Sequence, residues 1–368
     1  MSVLSCRTKA DLNGGKSSPR EGNRYAERFS VIKHEGYSEL TLINPFQGAK
    51  NENYRWILLN RDTTIDERAD SSSVIKVPVQ KLVCMSTTWL SMLKSLGCKN
   101  LIKGISGRNL VFDSELRAMM DSGDIRDVGF EDNLNKELIV AISPDVILNY
   151  GIGGESSGYV SKIREMGYKV VFLGDYLERE PLARVEWIKV LGLLIGKEKQ
   201  ADSLFSIIER RYNEIRDSVK NFSTVRPSVL LGLPWKDTWY VSPGNSFVSK
   251  MIEDAGGNYI WRETVSDVSM PYGLENVYLK AMKADFWFNT GAAESLNDII
   301  SVDPRLGQLP PFISGRVYNN NSRISFSGAN DYWESGTMNP HIILRDLASV
   351  LHPELFNCDS LYYYKRLK

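Results

Sequence analysis

Histidine is nearly absent from this chain and cysteine is scarce: 368 residues hold three of the first and four of the second. His34, His341 and His352 are far apart, and none stands beside a histidine, cysteine or carboxylate at metal-ligand spacing, so capping or surface roles are expected for them. Cys6, Cys84, Cys98 and Cys358 form no CxxC pair, which excludes a zinc ribbon or a thioredoxin-type redox couple. Cys84 and Cys98 are expected as buried thiols. Net charge is missing too. Lys+Arg and Asp+Glu both total 45, and without a basic excess the chain lacks the electrostatic footprint of a nucleic-acid binder. No run of about 18 apolar residues occurs, so no spanning helix is expected. The glycine-rich stretch 151–158 lacks the GK[ST] ending of a phosphate loop and is expected to be a flexible cleft loop.

What is present is a large apolar fraction, 42%, with 8 Trp and 17 Tyr. That supports two α/β domains of ordinary size. The organising stretch is 197–221, where Leu204, Ile208, Tyr212, Ile215 and Val219 recur every three to four residues on one face of a long amphipathic helix. On either side, strand and helix patterns alternate, which predicts parallel sheets with helices on their faces. The expected layout is a leader over 1–28, an N-terminal lobe over 29–180 with an extra β-hairpin, a helical segment over 181–222, and a C-terminal lobe over 223–368. Val77 to Met85 is expected as one buried strand, 317–319 as the last strand of the chain, and 180–195 as one helix.

Ligands of such sheets lie at the carboxyl ends of the strands. There the sequence places Thr87, Arg108, Asn109, Phe130, Tyr150, Trp235, Trp239, Asp331, Tyr332 and Trp333, aromatics mixed with single polar groups that suit a large, partly flat ligand held without reaction. At the other end, Val3-Leu4-Ser5-Cys6 resembles the end of a lipoprotein signal, with Cys6 as the lipidated residue and a polar tether after it. The apolar segment that should precede such a box is absent from the sequence.

The order and spacing of several stretches resemble the substrate-binding proteins of ABC importers for cobalamin, ferric siderophores and haem. They are VPVQKLVCMSTTWLSMLKSLGCKNLIKGISG, KELIVAISPDVIL, EWIKVLGLLIGKEKQADSL, NSFVSKMIEDAGG, LENVYLKAMKADFWF and NPHIILRDLASVLHPELF. That resemblance implies two Rossmann-like lobes joined by one rigid helix, with the ligand cleft between them. It also implies no catalysis, no cofactor, and an extracytoplasmic location on a lipid anchor. The partners implied are an ABC permease and its ATPase, and a monomer is expected. Glu137 and Glu275 match the two carboxylates by which such proteins dock onto permease arginines. Asp331-Tyr332-Trp333-Glu334 resembles the corrin-contacting stretch of cobalamin-binding members, with Arg108, Asn109 and Phe130 in matching places. Ser335 stands where a basic residue follows there, so siderophore and haem stay open; for haem, Tyr150 or Tyr332 would supply the axial ligand. The rival class is a two-lobed α/β enzyme such as a tetrapyrrole chelatase or a glycosyltransferase.

Overall fold

A computed structural model describes residues 22–63, 73–130, 133–151, 158–222, 225–356 and 360–368; Cys6, Cys358 and most of the 151–158 loop lie outside them. The first element is a four-stranded sheet. Strands β1 (Phe29–Lys33), β2 (Tyr37–Ile43) and β3 (Asn53–Asn60) run antiparallel, and β4 (Val74–Val77) pairs parallel to β3. The expected single strand over 77–85 is therefore two strands in two sheets. Pro78 has no backbone N–H to give a ladder, so the chain leaves β4 there and begins β5 (Leu82–Cys84) elsewhere.

The N-terminal lobe then alternates as its hydrophobic runs require. Helix α1 (Thr88–Ser95), β6 (Ile102–Ile105), α2 (Ser114–Asp121), β7 (Arg126–Asp127), α3 (Lys136–Ile142), β8 (Val146–Asn149), α4 (Gly158–Glu165) and β9 (Val170–Phe172) follow in order. Strands β7-β6-β5-β8-β9 form one all-parallel sheet. Its central strands are buried along their whole length, as a sheet covered on both faces demands. Helix α2 opens on Asp113, whose carboxylate accepts from the amides of Glu115 and Leu116.

Next come α5 (Pro181–Glu186) and α6 (Ile188–Ile195), two helices separated at Trp187 where one was expected, and then α7 (Glu198–Phe222). At 25 residues α7 is about 37 Å long. Its near end is seated on α6 at Gly192, where a Cβ would come within 2.6 Å of the Ala201 methyl. Its far half is fixed to the other lobe by the Tyr212 hydroxyl, which donates to Asp254 at 2.8 Å.

The C-terminal lobe holds β10 (Ser228–Leu231), β11 (Thr238–Val241), α8 (Phe247–Asp254), β12 (Asn258–Tyr259), β13 (Met270–Gly273), α9 (Leu274–Ala281), β14 (Phe286–Phe288), α10 (Leu296–Val302), α11 (Pro310–Ile313), β15 (Val317–Asn319), α12 (Asp331–Glu334), α13 (Pro340–Leu351) and β16 (Lys365–Arg366). Its sheet runs β12-β10-β14-β15-β16, parallel except for β16, while β11 and β13 form a separate antiparallel ribbon. β16 was not foreseen, because two residues, Lys365 and Arg366, carry no alternation to read.

Both ends of the described chain are tied down by buried carboxylates. The amides of Arg24, Tyr25 and Ala26 donate to Glu186, and those of Glu27 and Arg28 to Glu178. In the C-terminal lobe, Asp346 accepts from the amides of Tyr362, Tyr363 and Tyr364.

Candidate functional site

All parallel strands of a sheet end on one edge, so the loops after them collect there. In the N-terminal lobe that edge carries Thr87 after β5, Arg108 and Asn109 after β6, Phe130 after β7 and Tyr150 after β8. In the C-terminal lobe it carries Trp235 after β10, Thr290 after β14, and the 320–333 stretch after β15. Phe130, Trp235 and Trp333 are 42%, 64% and 53% exposed, and Tyr240 and Phe326 are also open to solvent. The Arg108 guanidinium pairs with Asp121, and the Asn109 carbonyl accepts from Ser327 of the other lobe.

The same edges hold polar atoms that find no partner. Ser106 Oγ and Asn149 Nδ2 lie at the ends of β6 and β8, and Thr290 Oγ1 and Asn321 Oδ1 follow β14 and β15; all four are buried and without a hydrogen bond among the described residues. Leaving such a group bare costs about 1–3 kcal/mol, so a ligand or ordered water is the natural complement.

Three of the residues named from the sequence are placed elsewhere. Trp239 is fully buried: its indole donates to the Leu231 carbonyl at 3.1 Å and stacks on Trp287 at 5.9 Å. The period of two along β11 turns Trp239 inward and Tyr240 outward. Asp331 is 3% exposed and accepts from Arg323 at 2.6 Å, and Tyr332 is 5% exposed, edge-on to Tyr363 and Tyr364. The single turn of α12 buries Asp331, Tyr332 and Glu334 and leaves only Trp333 open to solvent, with Glu334 buried against the other lobe.

The residue that sequence reasoning undervalued is Glu334. Its carboxylate accepts from the amides of Phe112 at 2.7 Å and Asp113 at 3.0 Å, and its carbonyl from Ser91 at 2.9 Å, so it joins the C-terminal lobe to the start of α2 and to α1. The helix-start sequence Asp113-Ser114-Glu115 was the available signal, since free amides just ahead of a helix attract an anion. Burial at this seam pushes the Glu334 carboxyl up to about 7, against the two amides that pull it down. Its ordinary value is 4.5, so the joined lobes bind a proton that separated lobes release. The stabilisation of the joined state is complete below pH 4.5 and is lost as pH rises through 7. Interlobe distances measured by paired spin labels at pH 5 and pH 8 should show the more closed population at pH 5. Glu334→Gln should remove that dependence, and an unchanged pH response in this variant would refute the assignment.

Among the described residues, no group of three or more His, Cys, Asp and Glu could hold a metal ion. His34 stacks on Tyr37 in the N-terminal sheet, His352 sits against the Gly256 carbonyl, and His341 is buried at the start of α13. Glu137 and Glu275 both stand in the first turn of a helix, α3 and α9. Glu275 pairs with Arg305 at 3.1 Å, and its own amide together with that arginine holds its carboxyl below the usual range.

A family model described as periplasmic binding protein matches residues 83–323. An uncharacterized lipoprotein of Methanocaldococcus jannaschii is 26% identical over 363 residues, covering 93% of this chain and 84% of that protein. An uncharacterized ABC transporter substrate-binding lipoprotein of Bacillus subtilis is 21% identical over 191 residues, covering 51% of this chain and 58% of its own length. In fold, the chain is similar to a periplasmic heme-binding protein of Pseudomonas aeruginosa, with a TM-score of 0.57 at 16% identity, covering 75% of this chain and 93% of that one.

Proposed function

Because this chain belongs to the periplasmic binding protein family, we propose that its cleft captures a bulky, flat metal chelate, a corrinoid ahead of a ferric siderophore or haem. The protein itself is the extracytoplasmic substrate-binding component of an ABC transporter, a carrier and not an enzyme. One observation carries the ligand reading: exposed Phe130, Trp235 and Trp333 lie on the sheet edges that also hold the unpartnered Ser106, Asn149, Thr290 and Asn321. Aromatic faces suit a macrocycle, and scattered single polar groups suit its amide or carboxylate rim. A corrinoid brings its own axial ligands and so asks no metal ligand of the protein.

The second reading is haem, favoured by the heme-binding description of the Pseudomonas aeruginosa neighbour. It requires an axial donor. Tyr332 is buried against Tyr363 and Tyr364, which leaves Tyr150 of the two tyrosines considered. Delivery would use Glu137 and Glu275 as a two-point electrostatic register on the permease, with Cys6 as the lipid anchor and the protein acting as a monomer.

Titration with cyanocobalamin, haemin and a panel of ferric siderophores, followed by Trp fluorescence and calorimetry, tests the ligand class. Saturable quenching by cyanocobalamin is expected. Saturation by haemin alone would transfer the assignment to haem, and binding of none would overturn the chelate reading.

A further inference from the structure

A second cavity opens along the side of the molecule, lined by none of the exposed Phe130, Trp235 and Trp333. It is a groove of about 650 Å³ between the lobes, floored by Leu204, Ile207 and Arg211 of α7 and walled by α1 on one side and the start of α13 on the other. Glu334 closes it at the seam. Most charges in it are already matched: Lys94 with Asp113, and Arg323 with Asp331. Arg211 is the exception, an exposed guanidinium that makes no ion pair among the described residues.

Beside Arg211 lies His341. The residue is 8% exposed and lines the groove, and its Nδ1 is buried without a hydrogen bond. Burial, with help from the Arg211 charge, pushes the imidazole down to about 4, so at neutral pH it is uncharged and offers one N–H. The twelve-residue helix α13 starts at this point; Pro340 has no N–H and the Ile342 and Ile343 amides already donate to the Asn339 carbonyl, so the helix brings its dipole and not a set of free amides. An unmatched cation, a buried imidazole lacking a partner and the positive end of a helix dipole thus converge on one corner.

We propose that this corner binds the oxyanion group of a small molecule, held by the Arg211 guanidinium and the His341 ring in the favourable field of the α13 dipole. The site uses none of the exposed aromatics proposed to hold the chelate and does not depend on which chelate the protein carries. It would tie the interlobe helix α7 to the C-terminal lobe just beneath the Glu334 seam.

With only three histidines in the chain, each imidazole Cε1–H can be followed by proton NMR in the full-length protein. Inorganic phosphate and succinate are titrated separately in the millimolar range, with sodium chloride at matched ionic strength as control. The expected result is a saturable movement of the His341 signal with one or both anions, none with chloride, and a rise of its pKa by one unit or more, since a bound anion favours the imidazolium. The anion that binds more tightly identifies the ligand as phosphate-bearing or carboxylate-bearing. Arg211→Gln should weaken binding at least tenfold, while an unmoved His352 signal shows that the C-terminal lobe of the variant is intact. No movement of His341, equal movement with chloride, or unchanged affinity in R211Q overturns the site.

Discussion

Replacing Trp235 and Trp333 together by alanine is expected to weaken chelate binding about 100-fold or more, roughly 3 kcal/mol, because two large aromatic faces leave the ligand surface. Both side chains are more than half exposed, so their removal opens no cavity in the core, and thermal stability should hardly change. Trp239 provides the contrast. It is buried against Trp287 with its indole bonded to Leu231, so Trp239→Ala should cost about 3–5 kcal/mol of stability through the cavity and the bare carbonyl it leaves. Affinity per folded molecule should be unaltered in that variant. Calorimetric titration beside a urea melt separates the two outcomes, and a W239A protein that folds well and binds poorly would place the ligand deeper in the C-terminal lobe than the surface aromatics do.

The second large effect is expected at the N-terminal anchor. Glu186 has no exposed surface; it receives three consecutive amides, from Arg24, Tyr25 and Ala26, and pairs with Lys189 at 2.9 Å. Truncation to alanine leaves those donors and the ammonium without their acceptor, at about 3–5 kcal/mol. A urea midpoint shifted by less than the range of surface variants would show that this segment is held by its apolar contacts, Phe29 on Trp187 among them, and not by the carboxylate. Chelate binding should persist wherever the protein remains folded, since the anchor lies in α5 and touches neither lobe's strand edge.

The alternation that predicted two parallel sheets was legible because buried strands such as 82–84 and 146–148 are continuous apolar runs between helices with amphipathic spacing. The long helix was legible for the same reason, its buried Phe205, Ile208, Tyr212 and Val219 lying on one face. Two-residue strands were not, because β7 and β16 owe their existence to a neighbour's ladder and not to their own side chains. In the site, residues marked by position after a strand were found, whereas their orientation was not. Asp331, Tyr332 and Trp333 are consecutive, and a single turn of helix sends two in and one out. Glu334 was hidden for another reason: its partners are backbone amides of Phe112 and Asp113, more than two hundred positions away, and a helix start at 113–115 marks a place for an anion without saying which carboxylate fills it.

The short antiparallel strand at the edge of the second sheet has a bearing on biosynthesis. β16 pairs with β15, the Lys368 carbonyl accepts from Leu296, and Asp346 gains its three amides only from residues 362–364. The N-terminal sheet, by contrast, is assembled entirely from residues before 173. During synthesis the first lobe and the near end of α7 can reach their native packing while the second lobe still lacks an edge strand and carries Asp346 unsatisfied. Maturation is therefore directional: one lobe serves as a finished template while the other stays open until residues 361–368 have been made, and a ribosome-stalled chain ending near residue 355 should be protease-resistant in its first half alone.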